Sequence, residues 1–190
     1  MQIEHREVFL KERPKSLYDI SLKGTIPVLK VSDDCVIDES IDIMKWVIKD
    51  KKSNWYTFNK SKQDKMISHN DCDFKYWLDK YKYHIRNPEQ NQGYYRKKCI
   101  DTLLSYESIL AQKPYLMGDS IQLVDAALFP FVRQFANVER VWFSQTFPYL
   151  EEWLQNWILS SCFISVMSKF IPWKLGDEAL YISYGKEECK

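Results

Sequence analysis

The sequence predicts a small α+β unit followed by an all-α helical bundle. Three observations carry that expectation. The first fifty residues mix strand-like and helix-like periods. A charged stretch, KKSNWYTFNKSK at 51–62, then breaks the pattern. After it, apolar residues recur at helical spacing almost to the end. The domain expectation is therefore 1–52 for the mixed unit, 53–62 for a linker and 63–190 for the bundle.

Residues 3–10, IEHREVFL, form the first strand candidate, with imperfect alternation. Pro14 opens a short helix, KSLYDISL. Thr25 to Val31 reads as a strand and Cys35 to Ile37 as its partner, joined by the Ser32-Asp33-Asp34 turn. From Ser40 the period turns helical, with Ile41, Met44, Val47 and Ile48 on one face.

In the bundle, Ile67, Phe74, Leu78, Tyr81 and Ile85 mark the inner stripe of a long helix that stops before Pro88. Tyr95, Cys99, Leu103, Tyr106 and Leu110 mark a second. Residues 122–137 are apolar enough to lie at the bundle centre. Pro148 suits the first turn of a fourth helix, YLEEWLQNWI, and a fifth covers about 161–170. The tail beyond Pro172 is expected to pack across the surface.

The 190 residues are 45% apolar and 15% aromatic, which suits a folded chain with a real core. Lys plus Arg is 27 and Asp plus Glu is 26, a balance giving no reason to expect nucleic acid or a membrane surface as partner. No signal-peptide pattern or membrane-spanning run is visible. The five cysteines (Cys35, Cys72, Cys99, Cys162, Cys189) are widely spaced, so neither a disulfide framework nor a metal site is expected. A reduced, cytoplasmic setting follows.

Several motifs resemble the glutathione S-transferase family, in its bacterial, cytosolic type. They are KGTIPVL (Lys23–Leu29), IDES (Ile37–Ser40) opening a helix, YLMGD (Tyr115–Asp119), LVDAALFPFVRQF (Leu123–Phe135), PYLEEWL (Pro148–Leu154) and VMSKF (Val166–Phe170). The match covers nearly the whole chain. The resemblance implies a thioredoxin-like N-terminal domain ahead of the helical one. It also implies a cis bond between Ile26 and Pro27, with the Ile26 backbone pairing with glutathione like an added strand. Glu39 and Ser40 would hold the γ-glutamyl end. A carboxylate suits its ammonium, and a hydroxyl with free N–H groups suits its carboxylate. Both residues would equally serve as plain helix-start residues. Lys23 and Lys30 could reach the glycine carboxylate, with a solvated surface role favoured for each.

The family places a Cys, Ser or Tyr after its first strand. Residues 1–8 align best with the second strand, so the first strand and first helix have no counterpart here and no catalytic residue is assigned. That leaves the strand at 3–10 without its usual neighbour. A longer natural protein, a slide into the vacant slot, or cover from a second chain would each resolve this. Cys35 and His5 read as ordinary structural or surface residues, and Asp125 as a structural helix-start acceptor behind a weak Gln122 cap.

The implied function is glutathione-dependent conjugation or reduction of a small electrophile. Glutathione would be the co-substrate, no metal is needed, and a homodimer is expected by analogy. The alternative is a non-catalytic binding or interaction protein of the stringent-starvation type on the same fold.

Overall fold

The computed structural model describes residues 1–183. The chain forms two compact units, Met1–Trp46 with the segment from Ile158 onward, and Val47–Trp157.

The first unit holds two separate two-stranded sheets. Strand β1 (Gln2–His5) pairs antiparallel with β4 (Leu180–Ser183), placing Ile3 opposite Ile182 and His5 opposite Leu180. Along β1, Ile3 and His5 turn inward while Gln2 and Glu4 face water, the period-two pattern of a half-buried strand. The strand is shorter than the expected 3–10. Its edge is covered by the chain's own tail, so the region 63–190 is not all-helical. Backbone groups on a strand need partners, and β4 supplies them. The tail also stacks Phe170 on His5 at 4.5 Å between ring centres, sets Arg6 over the Trp173 ring, and sends the Trp173 N–H to the Glu7 carbonyl at 2.9 Å.

Pro14 precedes α1 (Lys15–Ile20), whose single buried anchor is Leu17. Strands β2 (Leu29–Ser32) and β3 (Cys35–Ile37) make the hairpin, with Leu29 opposite Ile37 and a register irregularity between Lys30 and Ser32. The ladder starts at Leu29 rather than Thr25, because Pro27 has no N–H to donate. Helix α2 (Ser40–Asp50) follows, and it contains no fully buried residue.

In the second unit, α3 (Lys60–His69) and α4 (Lys75–Lys82) replace the single long helix expected. A π-helical turn, Asn70–Phe74, separates them, and a 3₁₀ turn over His84–Arg86 ends the run. Lys60 also starts α3 inside the expected linker. Helix α5 (Gln92–Leu110) is capped by Asn91, whose side chain accepts the Tyr94 N–H at 2.8 Å. Helix α6 (Leu123–Ala136) is the central one and buries Leu123, Val124, Leu128, Val132 and Phe135. A short α7 (Arg140–Thr146) was not visible in the periodicity; Phe143 buries it among the Phe135 and Phe147 rings. Helix α8 (Pro148–Ile158) follows, and α9 (Ser161–Val166), in the first unit, is shorter than expected.

Three polar side chains organise the bundle: Asp125 and Gln63 are buried and Glu107 is half-buried. The Asp125 carboxylate, fully buried, accepts from the Leu116 and Gln122 N–H groups at 2.9 Å each and from Trp153 Nε1 at 3.3 Å. Burial raises its pKa, and those donors oppose the shift. The Gln63 amide donates to the Phe58 carbonyl at 2.8 Å and accepts the Val124 N–H at 3.2 Å. Glu107 on α5 accepts the Tyr149 and Leu150 N–H groups at 3.1 and 2.7 Å, closing the start of α8. Tyr81 donates to Glu139 at 2.6 Å, and Arg96 pairs with the same carboxylate at 2.8 Å.

Candidate functional site

The motif residues of the first unit converge on the hairpin and the start of α2. The path there begins at Gly24, which adopts φ +58°. A Cβ at that position would fall 2.2 Å from the Tyr18 ring on α1, so both the backbone and the close approach require glycine. Two residues on, the Ile26–Pro27 peptide is cis. Ile26 is 39% exposed, and its main-chain N–H and C=O have no partner among the described residues.

Beyond β3, the Glu39 carbonyl accepts the Asp42 and Ile43 N–H groups at 3.0 Å each, which makes Glu39 the residue that opens α2. The N–H groups of Ser40 and Ile41 therefore point out of the helix start, and nothing accepts from them among the described residues. The Glu39 side chain is 57% exposed.

A charged cluster surrounds this helix start. Lys23 Nζ donates to Glu39 Oε1 at 2.7 Å and to Asp38 Oδ1 at 3.1 Å. Asp38 is fixed from behind by the hydroxyl of the buried Ser21, which donates to Oδ2 at 2.9 Å. The Lys23 pKa is raised, first by Glu39 and then by Asp38. The Asp38 carboxyl is held below its usual range by Ser21 and then Lys23. Lys30 is instead engaged at the hairpin turn, 2.7 Å from Asp33.

The structure thus brings Ile26, Pro27, Glu39 and Ser40 into one unit and adds Ser21, Lys23 and Asp38 around them. Sequence reasoning gave Asp38 no role of its own and favoured a solvated surface role for Lys23 over a ligand contact. The signal was available in the opposite charges of the KG and DE pairs flanking the hairpin. Cys35 is a half-buried free thiol on β3. Cys99 lies fully buried on α5, its pKa pushed up to about 12 by burial. Cys162 is disulfide-bonded, a pairing the cysteine spacing did not suggest; Cys189 lies outside the described residues.

In the second unit an open groove of about 750 Å³ runs along α3, lined by Asp64, Lys65, His69, Cys72 and Asp73 among others. His69 Nε2 there lies 2.8 Å from Thr102 Oγ1. Among the described residues, no group of three or more His, Cys, Asp or Glu side chains could hold a metal ion, and no helix is long and apolar enough to cross a membrane.

The sequence profile of the glutathione S-transferase C-terminal domain matches residues 77–156. By sequence, no curated protein matches the chain significantly. Many solved structures do match by fold. A Phanerochaete chrysosporium glutathione transferase in complex with oxidized glutathione is 17% identical, covers 80% of this chain and 76% of its own, and superposes with a TM-score of 0.69. A Pseudomonas fluorescens glutathione transferase family member with two glutathione bound is 12% identical, with coverage of 80% and 74% and a TM-score of 0.68. A Populus trichocarpa glutathione transferase is 17% identical, with coverage of 80% and 78% and a TM-score of 0.65.

Proposed function

Because residues 77–156 are a glutathione S-transferase C-terminal domain and the chain carries the glutathione transferase fold, we propose that it binds glutathione on the hairpin of its first unit. The ligand backbone pairs with the open N–H and C=O of Ile26 beside Pro27. Its α-ammonium meets the Glu39 carboxylate, and its α-carboxylate meets the Ser40 hydroxyl and the N–H groups that open α2. One observation carries this reading. A carboxylate and unpartnered helix-start N–H groups stand together at the end of a hairpin whose Ile26 backbone is also unpartnered. That donor and acceptor set complements a zwitterionic amino acid on an extended peptide.

The accompanying activity is conjugation of glutathione to small electrophiles, or reduction through its thiol, in a cytoplasmic homodimer. The ligand supplies the nucleophilic sulfur; the hairpin orients it. No residue of this chain is assigned the catalytic position. A second reading, a non-catalytic binding protein on this fold, is favoured by one observation. The hairpin's own thiol, Cys35, is half-buried and makes no hydrogen bond to a base among the described residues.

Calorimetric titration with glutathione tests the binding site. Glu39→Ala is expected to weaken affinity about tenfold, as removing one charge-assisted contact costs about 1.4 kcal/mol. Equal heats for the two proteins would undo the Glu39 assignment. Conjugation of a standard electrophile by the same preparation would favour the enzyme, and binding without turnover would favour the second reading.

A further inference from the structure

We propose that Lys23 is a built-in competitor for the amino-acid end of the ligand, occupying on Glu39 the place that the ligand's α-ammonium would take. This rests on the glutathione reading of Glu39 above and adds a layer of selectivity to it.

The geometry supports competition rather than idle pairing. Lys23 Nζ sits 2.7 Å from Glu39 Oε1, the distance at which a ligand ammonium would bind. Two ammonium groups on one carboxylate repel each other at such separations, so ligand and lysine cannot both hold Glu39 at full strength. Lys23 also has somewhere to go. Asp38 Oδ1 lies 3.1 Å from the same nitrogen, and Asp38 is anchored by Ser21 at 2.9 Å independently of Lys23. The lysine therefore gives up one carboxylate while keeping the other. In the free protein Lys23 spans Asp38 and Glu39; in the bound protein it rests on Asp38 alone.

The consequence is selectivity by charge. Without Lys23, Glu39 would attract any passing cation. With it, a ligand gains from Glu39 only if its own ammonium outcompetes the lysine, which demands correct placement of the rest of the molecule. The pair is exposed, with Lys23 at 52% and Glu39 at 57%, so the competition is worth a few-fold in affinity rather than orders of magnitude.

The test uses the full chain, titrated with glutathione and with a glutathione analogue lacking the α-amino group. Lys23→Met removes the cation and keeps most of the side-chain length; a thermal melt verifies that it folds. Its affinity for glutathione is expected to rise about threefold, while its affinity for the deaminated analogue stays unchanged. Lys23→Arg, which keeps the competing charge, is expected to stay within twofold of the parent for both ligands. Unchanged or weaker glutathione binding by Lys23→Met would overturn the proposal while leaving the Glu39 reading in place. Failure of all three proteins to bind glutathione would overturn the parent reading and the proposal with it.

Discussion

The starts of α6 and α8 are treated in the opposite way to the start of α2. In the bundle, the first N–H groups of α6 are taken by Gln63 and the Trp55 carbonyl, and those of α8 by Glu107. In the first unit, α2 begins with Ser40 and Ile41 N–H groups that no described residue accepts, beside carboxylates held on the surface. Every helix leaves its first N–H groups without an intrahelical partner. A protein that fills them with its own side chains converts them into stability. One that leaves them open keeps an anion site. Helices α6 and α8 do the first, and α2 leaves its first donors open while α9 is capped by Ser160, so polar substitutions at the two kinds of helix start should fail differently.

The largest contrast comes from Asp125. Asp125→Ala strands the Leu116 and Gln122 N–H groups and Trp153 Nε1 in the core, and should cost about 3 kcal/mol of unfolding free energy. Urea denaturation reads this directly, and a cost near zero would show that the bundle's polar groups are dispensable. Glu107→Ala opens the start of α8 and should cost about 1 kcal/mol, because water can reach part of that exposed cap. Glutathione affinity of the folded protein should be untouched by either change.

The smallest effect is the pH response of the hairpin cluster. Asp38 has a lowered folded pKa, so its contribution is complete above the ordinary carboxyl value of 3.8 and is lost as pH falls through the folded value. Lys23 has a raised folded pKa, so its contribution is complete below 10.5 and is lost as pH rises through the folded value. The melting-temperature gap between the parent and Lys23→Met should therefore be flat from about pH 5 to 9 and close at both extremes. A gap that varies across the neutral range would point to other titrating groups.

Much of this architecture could be read from the chain alone, for reasons that differ by element. Strand β3 and helices α5, α6 and α8 follow from local pattern and, for α8, from Pro148 at its start. The Ile26–Pro27 geometry came from the resemblance carried by KGTIPVL. Helix α7 escaped because two turns give too little period to detect, and its place is set by ring packing. The π turn at Asn70–Phe74 escaped because the buried stripe runs through it without a break. Strand β4 escaped because four residues, LYIS, identify no partner without the tertiary fold. At the candidate site, Glu39 and Ser40, the contacts proposed here, were named from the sequence. The Ser21–Asp38–Lys23 arrangement was not, since it depends on how the two sides of the hairpin meet.

The pairing of β1 with β4 has a bearing on the order of assembly. A ribosome releases residues 2–5 long before residues 180–183, so β1 waits without its ladder while everything between them emerges. The helical unit, built from neighbours in sequence, is free to condense during that interval. Nascent chains halted before Leu180 would then carry a finished bundle and a bare first strand, a natural handhold for chaperones.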